Sequence, residues 1–182
     1  MADYDLRYVQ EALPHLKDYL FSDELFWPAP ANNQRGEPAY PSLTLGNLFY
    51  HLEAAKARAG GFAGTETELN AILDKWRTHA EHKMQKEFSS RLRQWLAYLN
   101  DLTQKPRDNA AAYSSQVRQR VVLALIADAL GNKLPLDAGM LTAGDSKLKS
   151  HFKSGAFLWE ADLQQAFSKK NYWYLYGTIP AR

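Results

Sequence analysis

The fold is decided by the stretch TETELNAILDKWRTHAEHKMQKEFSSRLRQWLAYLNDLTQ, residues 65–104, which contains neither glycine nor proline. About 40 residues without a helix breaker predict one helix roughly 60 Å long, at a rise of about 1.5 Å per residue. Thr65 and Glu68 have the spacing of a capping box at its start, and Pro106 follows its end. Because such a helix is longer than a single domain is wide, part of it is expected to be available to a partner.

One side of this helix is apolar. When each residue is advanced by about 100° around the helix axis, the large apolar side chains fall on one broad, slowly drifting face. They are Leu69, Trp76, Ala80, Met84, Phe88, Trp95, Leu99 and Leu102. This face is expected to pack against the rest of the protein.

A line of basic residues lies on the opposite side of the helix. It consists of Lys75, His79, His82, Lys86 and Arg93, at steps of three and four residues interrupted only by Ser89, and we call it the basic stripe. It spans roughly 27 Å of helix. The stripe is either an ordinary solvated face or a surface that binds an acidic partner helix, a phosphate backbone or an anionic surface. Aromatic side chains that would stack on bases are missing from it, which favours protein over nucleic acid.

Shorter helices are predicted on both sides of the long one. Leucine and valine spacing predicts a helix over about 5–21, interrupted near Pro14, and then the segment 22–41 is rich in turn residues and predicts a long ordered loop. Ser42 or Thr44 is expected to cap a second helix. Another helix is predicted over about 109–130, and its run VVLALIADAL makes it the candidate for the most buried element, with Arg118 and Arg120 just before the run expected at the surface.

The segment 135–182 differs from the rest of the chain because it is rich in aromatic residues. Two short helical stretches are predicted near 147–152 and 160–167, and the flanking strand formers are expected to pair as a small β-hairpin or to cap one end of the bundle. The aromatic residues considered as a core cluster or as a partner-binding or ligand-binding surface are Trp159, Tyr172, Trp173, Tyr174 and Tyr176.

Together these patterns predict an all-α protein. The expected architecture is a helical bundle of about four main helices with one very long helix, about 65–104, and an aromatic-rich C-terminal cap over 135–182. The whole chain, 1–182, is expected to form a single helical domain, since one core suffices for this length.

Composition excludes several classes of function. The chain has no cysteine, so it has no disulfide framework, thiolate nucleophile or cysteine zinc site. The N-terminus lacks the continuous apolar core of a signal peptide, and no apolar run is long enough to span a bilayer, so a cytoplasmic protein without membrane insertion is expected. A net charge of +2 is too small to indicate nucleic acid by itself.

The sequence predicts no cofactor, because it contains no glycine-rich phosphate loop, dinucleotide fingerprint, nucleophile elbow or His-Glu-x-x-His motif. Metal binding was considered for His79 and His82 with His51 and Glu53, since helical bundles build metal sites from facing side chains. The helical projection turns His79 and His82 away from the apolar face, which leaves His51 as the candidate ligand.

These observations favour a non-enzymatic protein-binding or assembly module that acts through the long helix and the aromatic C-terminal segment. Self-association is the simplest form of that function. The alternatives are a helical-bundle ligand-binding protein or metal-assisted enzyme and, third, a nucleic-acid-associated factor that uses the basic stripe.

Overall fold

In the computed structural model of the protein, which describes residues 2–58 and 60–180, most of the chain is helical. The α-helices in these residues are α1 (Ala2–Phe21), α2 (Leu45–Arg58), α3 (Ala63–Lys75), α4 (Arg77–Gln104), α5 (Pro106–Asn109), α6 (Tyr113–Leu130) and α7 (Met140–His151). Two strands, β1 (Lys153–Phe157) and β2 (Tyr176–Thr178), pair antiparallel. The predicted all-α fold with a small hairpin is confirmed.

Four helices form the body of the bundle. α1 packs on α2, α2 packs on α6, and α6 packs on α4, which also contacts α1 and α2. The predicted apolar face of α4 points into the core, where Phe88, Trp95 and Leu102 are buried. α6 contributes buried side chains around much of its circumference, among them Val117, Val122 and Leu123, because it lies between two neighbours.

The predicted single helix over 65–104 is wrong in one respect, since it is broken at Trp76. The backbone there has φ −116° and ψ 37°, outside helical values. The amide of Trp76 still donates to the Ile72 carbonyl at 3.1 Å, so the break is confined to one residue. The Trp76 ring packs edge-on against Phe21 at the end of α1, at 4.9 Å between ring centroids. We attribute the break to this tertiary contact, because neither glycine nor proline occurs nearby.

Of the two predicted helix caps, one is correct and one is wrong. Thr44 caps α2 as predicted, because its Oγ1 accepts the Asn47 amide at 3.1 Å. The predicted capping box at Thr65 does not form, since α3 begins at Ala63 and Thr65 Oγ1 accepts from the Gln10 side-chain amide at 3.2 Å.

α1 runs without interruption through Pro14, where two short helices or a kink were predicted. Pro14 and Gln10 both lie on the exposed side of α1. The carbonyl that loses its amide partner at a proline therefore faces solvent, where water can satisfy it.

The C-terminal segment forms the predicted cap. α7 is longer than the helical stretch expected near 147–152, and the stretch expected over 160–167 is reduced to a 3-10 turn at Ala161–Leu163. β1 and β2 form a short hairpin ladder that pairs Lys153 with Thr178 and Phe157 with Tyr176. Among the described helices, none combines the length and apolar character needed to cross a membrane.

Candidate partner-binding surface

The basic stripe lies on the solvent side of the α3–α4 unit. The structure leaves every one of its side chains exposed, namely Lys75, His79, His82, Lys86 and Arg93. Four of them are on α4, and Lys75 lies just before the break at Trp76. The predicted orientation of the stripe, away from the buried face of α4, is thus what the structure shows.

None of the stripe residues forms an ion pair within residues 2–58 and 60–180. The carboxylates closest to them in sequence are engaged elsewhere. Asp74 accepts from Arg77 at 2.6 Å, and Glu81 accepts from Lys133 at 2.6 Å. The described part of the chain therefore holds none of the stripe side chains in an ion pair, although the carboxylates of Asp137 and Asp23 lie beside the stripe.

An aromatic side chain borders the stripe at the N-terminal end of α4. Phe21 is half exposed and stacks on the ring of His79, with 4.0 Å between centroids. Beside this pair lies a cavity of about 290 Å³, whose walls include Ser22, His82 and Lys86. One carboxylate, that of Asp23, also lines the cavity. This end of the stripe thus combines cationic groups with an exposed apolar ring.

The other flank of the stripe is formed by the connection between α6 and α7. Ser89, which occupies the gap in the stripe, donates a hydrogen bond from Oγ to Asp137 Oδ1 at 2.9 Å. Leu134 and Leu136 of this connection are exposed, as is Met140 at the start of α7, and Leu136 is the most exposed large apolar side chain among the described residues. The stripe therefore has apolar groups on both sides.

Two further cations of α4, Arg91 and Lys83, point inward and have hydrogen-bond partners within the chain. Arg91 donates to Glu87 at 2.7 Å, Asn47 at 3.1 Å and Thr44 at 3.2 Å. Glu87, which has no exposed surface, also accepts the backbone amide of Gly46 at 3.0 Å. This network joins α4 to the start of α2, so it supports the fold.

Lys83, the second inward cation, joins α4 to the loop that follows α1. Its ammonium donates to the Ser22 hydroxyl at 3.2 Å and to the Glu24 carbonyl, and it lies 4.5 Å above the Tyr19 ring. Burial lowers the pKa of Lys83, and the nearby charge of Lys86 lowers it further. Lys83 therefore holds the loop next to the stripe.

His51, the candidate metal ligand, is buried between α1 and α6. Its Nδ1 lies 2.6 Å from Asp5 Oδ1, and its Nε2 lies 3.0 Å from Arg118 Nη2. Because a guanidinium can only donate, Nε2 must accept and the proton of a neutral ring sits on Nδ1, facing Asp5. Both ring nitrogens are engaged, so neither is free for a metal.

Ionisation in the His51 cluster follows from burial and charge. Burial lowers the pKa of His51, the hydrogen bond to Asp5 opposes this, and Arg118 lowers it further. For Asp5, burial raises the pKa, but the hydrogen bonds from His51 and Arg58 and the positive charge of Arg58 outweigh it, so the pKa lies below its ordinary value. Arg58 Nη1 binds Asp5 Oδ2 at 2.7 Å. The cluster is a neutral histidine held by a charged carboxylate.

The aromatic C-terminal residues serve mainly as core. Tyr172, Tyr174 and Tyr176 are buried, and the Tyr176 hydroxyl donates to the Phe167 carbonyl at 2.9 Å. Trp159 and Trp173 are half-buried, and the Trp159 indole donates to the Ser114 carbonyl at 2.9 Å. The chain itself covers most of this segment, which leaves the basic stripe as the better-exposed candidate surface.

The structure also places charges that the sequence pattern missed. Arg118 and Arg120 were expected at the surface, yet Arg118 binds His51 and Arg120 forms a two-bond pair with Asp145 at 2.8 and 2.9 Å. The sequence does contain a signal for the pair of Glu87 and Arg91. Both lie within the apolar arc of α4, four residues apart, which is the spacing at which opposite charges on a helix can pair. Asp5 and Arg58 carry no such local signal, since their partners lie far away in sequence.

Within residues 2–58 and 60–180, no group of histidine and carboxylate side chains is arranged to hold a metal ion. Comparison with known proteins adds no relative, because no protein-family model, curated protein or solved structure matches the chain. The chemistry of the exposed surface is therefore what supports a function.

Proposed function

We propose that this protein is a non-enzymatic protein-binding module that binds an acidic segment of a partner along the basic stripe of α4. The observation that carries the proposal is that all of the stripe side chains are exposed and none has a carboxylate partner in the described chain. Exposed cations in a line, without ion pairs of their own, speed the encounter with a partner of opposite charge and help to orient it.

The surroundings of the stripe favour a protein partner over nucleic acid. Protein interfaces are enriched in aromatic residues, methionine and arginine. Phe21 is exposed on one flank of the stripe, where it stacks on His79, and Leu136 is exposed on the other, next to the Asp137 that binds Ser89. Phe21 is already stacked on His79, so it is not free to stack on a base in this arrangement. An acidic helix with apolar residues at its edges fits such a surface better than a sugar-phosphate backbone.

A defined acidic peptide tests the proposal. The probe is a fluorescein-labelled helical peptide with glutamates along one face and leucines on both edges, and binding is followed by fluorescence anisotropy at about 50 mM salt, where screening is modest. Replacing Lys86→Glu together with Arg93→Glu is expected to weaken binding by roughly tenfold or more, since attraction becomes like-charge repulsion.

The matched control carries the same change of charge elsewhere. Lys105→Glu with Lys170→Glu changes two exposed lysines outside the stripe and is expected to retain affinity within about threefold. Equal affinity of the stripe variant and the wild type would overturn the proposal. Tighter binding of a DNA duplex of equal charge, lost in the same stripe variant, would assign the surface to nucleic acid instead.

A further inference from the structure

A second surface of the same bundle has the opposite charge. Two adjoining cavities of about 330 and 350 Å³ lie between α2, α3 and α6, and they share the walls Phe49, Asn70 and Ala129. Together they form one groove, and α4 closes one end of it through Ala80 and Met84. The groove is lined by apolar side chains that are buried or half-buried, namely Phe49, Leu52, Leu73, Met84 and Leu125.

The sides of this groove are acidic. Its lining carboxylates are Glu53, Glu66, Asp74, Glu81 and Asp128, against the two cations Lys56 and Arg77. Lys56 is shared between Glu53 at 2.9 Å and Glu66 at 2.5 Å. Asp128 is exposed and has no cationic partner in the described part of the chain. Asp74 pairs with Arg77 and Glu81 pairs with Lys133 from outside the groove. The excess of negative charge therefore comes from Asp128 and from two glutamates that share one lysine; we call this surface the acidic groove.

Tyr172 lies within reach of two of these carboxylates. It lines the groove, and its pKa is raised to about 12, first by burial and then by the carboxylates of Asp128 and Glu53. The negative charges of Asp128 and Glu53 therefore both lie near Tyr172 in the wall of the groove. A cationic group entering there would gain from both.

The basic stripe and the acidic groove face different directions on one molecule. Met84 of the groove follows His82 of the stripe by two positions, which is about 200° around α4. The two surfaces cannot meet within one copy. They can meet between copies, and a contact between two different surfaces of identical chains is heterologous, so it continues from one molecule to the next.

We propose that the acidic groove binds the basic stripe of a second copy of this chain, so that the protein assembles head to tail. This rests on the proposed function of the stripe, and it names the acidic partner as the groove of another copy. We choose a second copy as the occupant because its basic stripe is complementary in charge to the acidic groove. The exposed side chains that flank the stripe, Phe21 and Leu136 among them, supply apolar groups for the apolar lining of the groove.

Exchanging the charges of both surfaces tests the proposal. Sedimentation velocity of the wild type at about 50 mM salt is expected to show a mass that rises with protein concentration and falls as salt is added. Lys86→Glu with Arg93→Glu, and separately Asp74→Lys with Asp128→Lys, should each weaken self-association by roughly tenfold or more. A chain carrying all these substitutions has an acidic stripe and a basic groove, and it should associate again.

The control separates a specific contact from net charge. A chain with Asp74→Lys and Asp128→Lys plus Lys105→Glu and Lys170→Glu has the net charge of the wild type but an unchanged stripe, so it should stay monomeric. Because all of these positions are exposed, the fold should be retained. Ala129→Trp, at an exposed position on the shared wall, blocks the groove without charge and should also abolish association.

Three results would overturn this assembly. They are a wild type that stays monomeric up to about 1 mM at low salt, groove variants that associate like the wild type, and a fully exchanged chain that remains monomeric while the wild type associates. The acidic peptide experiment is independent of all three. A monomeric wild type that still binds the peptide through the stripe would refute the assembly and leave the proposed function standing.

Discussion

Helix α4 carries positive charge on two sides, and the two sides differ in what surrounds them. Lys83 and Arg91 point inward, are nearly inaccessible and have hydrogen-bond partners from other parts of the chain. Lys86 and Arg93 point outward, are exposed and have no ion pair in the described residues. The presence of internal partners therefore separates the cations that support the fold from those that we propose bind another molecule.

The physical reason for the difference is solvation. A buried charge loses its hydration and destabilises the fold unless partners replace the water, so removing a partner is costly. An exposed charge keeps its hydration, and its replacement changes stability by only a few tenths of a kcal/mol. Substitutions on the inner side should therefore change the free energy of unfolding, whereas those on the outer side should change affinity for a partner.

The largest expected effect comes from breaking the inner network at Glu87. Glu87→Ala leaves the Arg91 guanidinium buried without its carboxylate and the Gly46 amide without its acceptor. We expect the free energy of unfolding to fall by about 3–5 kcal/mol, measured by denaturant titration. Glu68→Ala, at an exposed site of α3, is the control and should change it by less than about 0.5 kcal/mol. Equal effects of the two would remove the distinction between the sides.

Gly46 tests the packing that holds this network together. A Cβ atom at Gly46 would lie less than 3.0 Å from Val122 and Glu87, so α2 could not approach α4 and α6 as closely. Gly46→Ala is expected to lower the free energy of unfolding by about 1–3 kcal/mol. Gly64→Ala, on α3, meets nothing within 4 Å and should leave stability unchanged or slightly raised. A neutral Gly46→Ala would mean that the close approach is not required.

A smaller effect concerns pH and compares a buried histidine with the exposed histidines of the stripe. Because the pKa of His51 lies below its ordinary value of 6.5, the unfolded chain takes up a proton that the folded chain does not. The contribution to stability is therefore complete above pH 6.5 and declines as pH falls, by at most about 1.4 kcal/mol per pH unit. Unfolding titrations between pH 7.5 and 5 should show this slope.

Replacing the buried histidine should remove that slope. His51→Gln is expected to flatten the pH dependence between pH 7.5 and 5, whatever its effect on absolute stability. His79→Gln with His82→Gln changes two exposed rings and leaves His51 with its partners Asp5 and Arg118. The part of the pH dependence of stability that comes from His51 should therefore remain in this control. An unchanged slope in His51→Gln would show that His51 is not the linked group.

The periodicity of apolar residues was sufficient to predict the bundle. Phe88, Trp95 and Leu99 face the core as the 3.6-residue period requires, and Thr44 caps α2 as a short polar residue before an apolar run should. The break at Trp76 could not be predicted, because it depends on contact with Phe21, which is distant in sequence. Local sequence shows helix propensity, but not which tertiary contact interrupts it.

The candidate surface was predictable in part for the same reason. Helical projection correctly placed Lys86 and Arg93 outside the apolar face, because that placement needs only the period of the helix. It could not show that Asp74 and Glu81 bind other cations and leave the stripe unpaired, since Lys133 lies beyond α6. The acidic groove was also hidden, because its walls come from separate helices that only the fold brings together.

The most direct test of the division between the two sides of α4 compares Arg91→Gln with Arg93→Gln, two residues apart on that helix. The free energy of unfolding and the affinity for the acidic peptide are measured for both variants. We predict that Arg91→Gln loses on the order of 3 kcal/mol of stability while its folded fraction keeps wild-type affinity. Arg93→Gln should keep its stability and bind the peptide several-fold more weakly. The reverse pattern, or the same loss of both properties in both variants, would contradict the division between the two sides of α4.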